Sequence, residues 1–381
     1  MKLWFGRKAA RTSARPFLFR AWGAAPSVGD WPRSYEAQVR DGYLGNPIAQ
    51  RAVRLVAECV AWAPIYENGS LAGAERASAL VSPSLLETVA SHLLLHGNAY
   101  LRIICDTAGA PAELFAMRPE RVKVEADAGG WPAAYLYRAG EVRNRFPARD
   151  GLGRPSLVHL RAVHPLDDHY GHGCLGAAAG AIAVHNAAAK WNKALLDNAA
   201  RPSGALVFDA GEDGRALSAE QFGRLRDEIE AHFAGSGNAG RPLLLEGGLK
   251  WQAMSLTPTD MDFAGLRAGA AREIALAFGV PPMLLGLPGD STYANYREAN
   301  RALWRLTVLP LAGKILDGIG AALGAWWPGT KIEVDVDQVT ALSEDRERLW
   351  AQITAADFLT RDEKREMLGF QRGSGSHTEV E

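Results

Sequence analysis

The 381-residue sequence contains few cysteines and almost no excess charge of either sign. Its three cysteines, Cys59, Cys105 and Cys174, are odd in number and far apart, which excludes a disulfide framework and indicates a reducing compartment. Lys and Arg together number 42 against 43 Asp and Glu, so the net charge is −1. Proteins that grip nucleic acid over a broad surface carry a clear basic excess, and that class is therefore disfavoured.

Long uninterrupted apolar runs are also absent. The most apolar stretch, 175–200, is broken by polar and charged residues between His185 and Lys193, whereas a membrane span needs ~20 nearly uncharged apolar residues. We predict neither a membrane span nor a secretory signal. Residues 1–33 are rich in Lys and Arg and have no acid before Asp30, so they predict a flexible basic arm, with an organelle transit peptide as the alternative.

The sequence lacks a Gly-x-x-x-x-Gly-Lys-Ser/Thr phosphate-binding loop and a nucleophile elbow, so we expect neither an enzyme nor a cofactor. The alternative is a soluble α/β nucleotide-binding enzyme that uses the Gly-x-Gly-x-x-Gly turn of Gly171–Gly176. Such a turn directly follows a strand and is followed by an acid ~20 residues later. Here residues 164–170 separate the predicted strand from the glycines. Asp209, the acid that ends the next predicted strand, lies much farther from Gly171 than ~20 residues.

Residues 164–174 contain the densest group of metal-ligand types in the chain: His164, Asp167, Asp168, His169, His172 and Cys174. No Cys-x-x-Cys or His-x-x-x-His spacing fixes a ligand geometry, and the segment reads as a loop. We therefore predict a solvated polar turn without a metal.

Hydrophobic periodicity predicts an α+β fold with helices and short strands in alternating blocks. The first half should contain helices over 46–62 and 83–96, then strands over 100–104, 113–117, 121–125, 134–137 and 157–161, and an Ala-rich helix from 175. An αβ insert follows, with a strand over 205–208, a capping box over Ser218–Gln221, and a strand pair over 242–245 and 249–256. The remainder should contain helices over 260–278 and 293–327, a strand over 331–337, and helices starting at Ser343 and Thr360.

Three arginines, Arg297, Arg301 and Arg305, share one face of the long helix at i, i+4 and i+8. Two hypotheses remain open for this stripe: a solvated or subunit-facing surface that pairs with acids on a neighbour, or contact with DNA phosphates. Pro310, farther along the helix, removes one backbone hydrogen bond and predicts a kink.

Several motifs occur in one order along residues 46–340. They are Leu95–Arg102, Glu113–Val122, Arg201–Leu206, Leu217–Phe222, Asn238–Pro242, Leu245–Trp251, Leu256–Asp260, Arg272–Gly286, Tyr293–Asn295 and Thr307–Pro310. The ordered set resembles the portal (head-to-tail connector) proteins of tailed bacteriophages, in the long-tailed branch that includes gene transfer agents. The family often has Gly-x-Ser-Pro-Leu where this chain has Gly173–Gly176, a departure that should alter a helix start.

The resemblance implies a portal-type α+β fold with a β-rich wing, a helical stem, a small αβ clip, a long kinked helix and a helical crown. The implied boundaries are 34–173 for the wing, 174–200 and 260–279 for two stem helices, 201–259 for the clip, 280–292 for a channel loop, 293–340 for the kinked helix and a wing strand, 341–370 for the crown and 371–381 for a flexible tail.

The resemblance also implies a function. Twelve copies would form a ring at one capsid vertex of the virion, assembled in the bacterial cytoplasm, through which double-stranded DNA is packaged and ejected. Implied partners are the terminase large subunit, a head–tail adaptor and the major capsid protein, without a membrane. The channel loop would present Pro281, Pro282, Met283, Leu284, Leu285 and Asp290. It contains no Lys or Arg, so it would touch DNA weakly as a collar, or its leucines would pack under a neighbouring subunit's helix.

Overall fold

The computed structural model describes the chain from Ser34 to Leu368 with gaps. The described residues are 34–68, 71–197, 204–208, 218, 220–221, 223–224, 227, 249–253, 263–288 and 292–368. The predicted basic arm, most of the predicted clip, Asp290 and the predicted tail lie outside these residues. Within them the fold mixes helices with small antiparallel sheets, which confirms the predicted α+β class.

The first helices are set by strong local end signals. Helices α1 (Tyr35–Gln38) and α2 (Pro47–Ala61) flank a π-helical turn, Val39–Leu44, that the sequence did not predict. Asn46 caps α2 by accepting hydrogen bonds from the amides of Ile48 and Ala49, both at 3.0 Å, and Pro47 occupies the first turn.

Strand β1 (Ile65–Asn68) and helix α3 (Leu71–Ala79) follow, and neither was predicted. Helix α4 (Pro83–His96) begins at the Ser82 cap and ends at Gly97, whose φ of 82° requires the left-handed conformation that glycine adopts without strain. The predicted helix over 83–96 is thus confirmed at both ends.

Two three-stranded antiparallel sheets confirm the predicted β-rich region. One has the order β3-β2-β7 and the other β4-β5-β6. Their strands are β2 (Asn98–Cys105), β3 (Pro111–Met117), β4 (Val122–Ala126), β5 (Pro132–Ala139), β6 (Val142–Pro147) and β7 (Leu157–Arg161). Strand β6 was missed because its exposed, Arg-rich sequence has no clear apolar alternation.

Two Ala-rich helices pack against each other: α5 (Cys174–Asp197) and α6 (Phe263–Ala277). Between them in sequence, β8 (Gly204–Phe208) pairs antiparallel with β9 (Leu249–Ala253). The sequence did not predict the pairing of β9 with β8. The predicted pairing of the 249–256 strand with 242–245 stays a prediction, because 242–245 lies outside the described residues. The Ser218 capping box is confirmed by reciprocal hydrogen bonds with Gln221 at 2.9 and 3.2 Å.

The long helix is interrupted by a π-helical turn just before its proline. Helix α7 (Tyr293–Leu303) leads into the π turn Trp304–Val308, and α8 (Leu309–Leu323) follows with Pro310 in its first turn. The amide of Leu309 donates to the carbonyl of Trp304, five residues back, so the backbone pairing changes where the proline N–H is missing. The helix ends at Leu323 rather than at residue 327, and a bend of its axis at Pro310 stays a prediction.

By length and composition alone, this 31-residue helix could cross a membrane. One face of α8 is buried in the protein core, through Ala312, Ile315, Leu316, Ile319, Gly320 and Leu323. That burial is the pattern of a core helix in a globular protein, and one such helix is weak evidence for a membrane.

The C-terminal strand is shorter than predicted. Strand β10 (Lys331–Val334) pairs antiparallel with β1, and the chain then forms a 3₁₀ turn, Val336–Gln338, because the Asp335 side chain caps the amide of Asp337 at 3.1 Å. Helices α9 (Ser343–Ala355) and α10 (Arg361–Met367) confirm the last two predicted helices. The capping box at the start of α10, between Thr360 and Glu363, is also confirmed.

Candidate functional site

The Gly171–Gly176 turn is packed closely against the turn at Gly97 and Asn98. The amide of Gly171 donates to Asn98 Oδ1 at 2.8 Å, and Asn98 Nδ2 donates to the carbonyl of Gly171 at 3.2 Å. A methyl group added at Gly171 would collide with the backbone of Gly97 and Ala162, and one at Gly173 with the backbone of Leu95. The glycines therefore serve close backbone packing, and their geometry gives no support to the nucleotide-binding alternative.

Of the residues predicted to form a polar turn, those from His164 to His172 lie in a loop without regular structure between β7 and α5, whereas Cys174 is the first residue of α5. Asp167 Oδ1 accepts hydrogen bonds from the amides of His169 and Tyr170, at 2.8 and 2.9 Å, which lower the pKa of the Asp167 carboxyl. Within the described part of the chain no group of three His, Cys, Asp or Glu side chains is arranged to hold a metal ion.

Two half-buried histidines, His92 and His159, have lowered pKa values. His159 Nε2 donates to Asn98 Oδ1 at 3.2 Å, and its ring stacks on Tyr100 with 4.3 Å between ring centroids. Burial lowers the pKa of His159 to about 4, assisted by the positive charge of Arg161, and burial likewise lowers the pKa of His92 to about 4. Both imidazoles are therefore neutral at pH 7 and act as packing elements.

The arginine stripe is paired within its own chain. Arg301 donates to Glu344 at 2.8 Å and lies 3.5 Å from Asp345, while Arg297 also pairs with Glu344, and Arg305 lies 3.7 Å from Asp345. The acids that pair with the stripe therefore include two of the same chain, and a contact of the stripe with a neighbouring subunit stays a prediction. Both acids sit in the first turn of α9, where the helix dipole also favours negative charge.

These ion pairs also affect the hypothesis that the arginine stripe contacts DNA phosphates. The Arg301 side chain is only 13% exposed, so its guanidinium is directed at acids rather than at solvent. A phosphate contact by Arg301 would require α9 to move away first. The ion pairs give the stripe a structural role, which is to hold α9 against α7.

The predicted channel loop begins as a short 3₁₀ helix, Pro282–Leu285, which follows Pro281. Leu284 and Leu285 are half-buried against the main core of the same chain, and Met283 is also half-buried. Arg272 Nη2 donates to the carbonyl of Pro288 at 2.6 Å and ties the loop to α6. The two leucines therefore stabilise their own subunit, and contacts with DNA or a neighbouring helix stay predictions.

The base of this loop contacts the π turn of the long helix. Gly279 has a φ of 66°, and its carbonyl accepts a hydrogen bond from Thr307 Oγ1 at 2.7 Å. A side chain at Gly279 would be strained by this φ and would meet Thr307. Loop and π turn are therefore coupled through one contact that sequence reasoning missed, since it joins residues far apart in the chain.

The described residues thus combine two packed Ala-rich helices, small antiparallel sheets and an apolar loop that is tied to a helix by a hydrogen bond. The family model described as phage portal protein matches residues 47–369, and the chain belongs to this family.

Solved structures agree with this assignment. The chain is 45% identical to a chain of the neck of a native gene transfer agent particle, computed with C12 symmetry, with a TM-score of 0.68 over 90% of this chain and 95% of that chain. An HK97-family phage portal protein from Corynebacterium diphtheriae shares the fold at a TM-score of 0.57, with 17% identity over 81% of this chain and 96% of that one.

A named relative is also similar in sequence. The probable portal protein of Streptomyces phage phiC31 is 26% identical over 301 residues, which are 72% of this chain and 63% of that protein. The resemblance stated from sequence motifs is thereby confirmed.

Proposed function

We propose that this chain is the portal subunit of a tailed phage or gene transfer agent particle. Twelve copies form a ring at one capsid vertex, and double-stranded DNA enters and leaves through its centre. The observation that carries the proposal is the similarity to the C12-symmetric particle neck, at 45% identity over 90% of the chain. The chain acts as a conduit and a docking platform, and a separate terminase subunit supplies the ATPase activity.

Exposed apolar side chains support assembly into a ring. Leu276 on α6, Tyr293 on α7 and Leu306 in the π turn are 79%, 79% and 77% exposed in the isolated subunit. Burial of such large apolar side chains against another chain would be favourable. The Ala-rich surfaces of α5 and α6 also allow helices of adjacent subunits to approach closely.

The regional assignments are part of the proposal. The sheets of residues 34–173 and strand β10 form the wing, which faces the major capsid protein. Helices α5 and α6 form the stem, and residues 201–259 form the clip, which binds the terminase large subunit and the head–tail adaptor. Residues 280–292 reach towards the channel, and α9 and α10 form a small crown. Assembly takes place in the bacterial cytoplasm, and the mature location is the virion.

A gene-removal experiment tests the proposed function. In a host that makes the particle, loss of this chain is expected to give capsids without tails and without DNase-protected DNA, because the capsid then has neither a DNA entrance nor a tail attachment. A wild-type copy supplied in trans should restore both. DNA-filled, tailed particles made without the chain would refute the proposal.

A further inference from the structure

We propose that the outer face of the β4-β5-β6 sheet binds the phosphate backbone of double-stranded DNA. Side chains alternate between the two faces of a strand. The inner face carries the residues that build the second hydrophobic core, among them Val122, Val124, Tyr135, Tyr137 and Phe146. The opposite face, here called the basic face, is defined by Arg121, Lys123, Leu136, Arg138, Arg143 and Arg145.

Strand pairing places the cations of the basic face in two rows. Arg138 lies directly opposite Arg143. Arg121 ends the 3₁₀ turn just before Val122, the partner of Tyr137, and so stands at the end of this row. Lys123, Leu136 and Arg145 form the second row. The rows are about 7 Å apart along the strands, a spacing close to two nucleotides of one DNA strand.

The charges of the basic face are unbalanced among the described residues. Glu125 is the acid on this face, and it is engaged by Arg145 at 2.8 Å. Arg121, Lys123, Arg138 and Arg143 are exposed and make no ion pair with a described residue.

Like charges directly opposite each other destabilise a sheet, as in the Arg138–Arg143 pair. A bound polyanion would remove that repulsion. The concentration of cations is local, because the chain as a whole has a net charge of −1.

The composition of the basic face favours DNA over an acidic protein. Stable protein interfaces are centred on buried aromatic or apolar anchors. On the basic face the one large apolar side chain is Leu136, which is 37% exposed. Phosphate contact needs cations alone and carries no sequence information. The identity of the anion rests on the proposed function, whereas the surface rests on the charges described above.

Binding of the purified full chain to a short fluorescent DNA duplex, measured by anisotropy at several salt concentrations, tests the proposal. The quadruple variant R121Q/K123Q/R138Q/R143Q should bind at least about tenfold more weakly near 100 mM salt. The magnitude of the slope of log affinity against log salt should fall by about 3.6, which is about 0.9 for each of the four lost phosphate contacts. The matched control R40Q/K331Q/R348Q/R361Q removes the same charge from exposed cations elsewhere and should bind like wild type.

A single substitution tests the same face in the opposite direction. Glu125→Gln frees Arg145 and should strengthen DNA binding severalfold, a gain that misfolding cannot produce. Equal binding by the quadruple variant and its control would overturn the proposal. Unchanged DNA binding together with lost binding of fluorescent polyglutamate would also overturn it and would assign the face to an acidic protein. None of these results depends on ring formation, so failure here is distinguishable from failure of the proposed function.

Discussion

Gly171→Ala is expected to destabilise the fold by about 3 kcal/mol or more, enough to prevent accumulation of folded protein if total stability is typical. The added methyl group would overlap the carbonyl oxygen of Gly97 and the backbone of Ala162, and backbone atoms cannot rotate away as a side chain can. Separation of the two turns would also break the hydrogen bonds between Gly171 and Asn98. Urea denaturation followed by circular dichroism measures the loss.

Gly176→Ala is the matched control within the same motif. Gly176 lies in α5, and a methyl group there would meet the edge of the His172 side chain, which is exposed and can move. Alanine also favours a helix over glycine by up to about 1 kcal/mol. This variant should therefore keep the wild-type stability or exceed it. Equal stability of both variants would contradict the account of the turn as a backbone packing site.

Acidification from about pH 7 to about pH 4 is expected to destabilise the protein through its half-buried histidines His92 and His159. The pKa of His92 and of His159 is about 4 in the folded state against 6.5 for the unperturbed imidazole, so the unfolded state binds more protons between these values. Stability therefore falls as pH falls through this window, by up to about 3 kcal/mol for each group.

Two substitutions separate this effect from other acid-induced changes. His92→Leu breaks no hydrogen bond at Nδ1, because Nδ1 of His92 has no hydrogen-bond partner. His159→Gln keeps an N–H group that can donate to Asn98. Each variant should lose up to about 3 kcal/mol less than wild type between neutral and acidic pH. His172→Gln, at an exposed histidine, is the control and should keep the wild-type pH dependence. Unchanged pH dependence in both His92→Leu and His159→Gln would show that these histidines do not carry the effect.

Local signals made much of the fold predictable. The Ser82 and Pro83 start of α4, its Gly97 end and the Thr360 capping box each act within a few residues, so the sequence displays them directly. Spacing also gave the correct reason to doubt a nucleotide site at Gly171–Gly176. The spacing of the motif could not show that the turn at Gly97 packs directly against these glycines.

Contacts between distant residues were not predictable in the same way. The sequence showed the arginine stripe, but its partners Glu344 and Asp345 lie on another helix much farther along the chain. Nothing in the local sequence pattern indicated that these two acids pair with the stripe. Strand β1 was missed because its partner, β10, is near the other end of the chain. The sequence suggested that the leucines of the channel loop contact DNA or a neighbouring subunit. It could not show their packing against the core of their own chain, because other segments form that core.

Subunit averaging by cryo-electron microscopy at the capsid–tail junction of purified particles tests the portal assignment most directly. Twelve chains of 41.0 kDa predict a ring of about 490 kDa with twelvefold symmetry and an open centre. Helices α5 and α6 should fit the density of each subunit, with residues 280–288 towards the centre. A junction density with another symmetry, or one that this fold does not fit, would contradict the assignment.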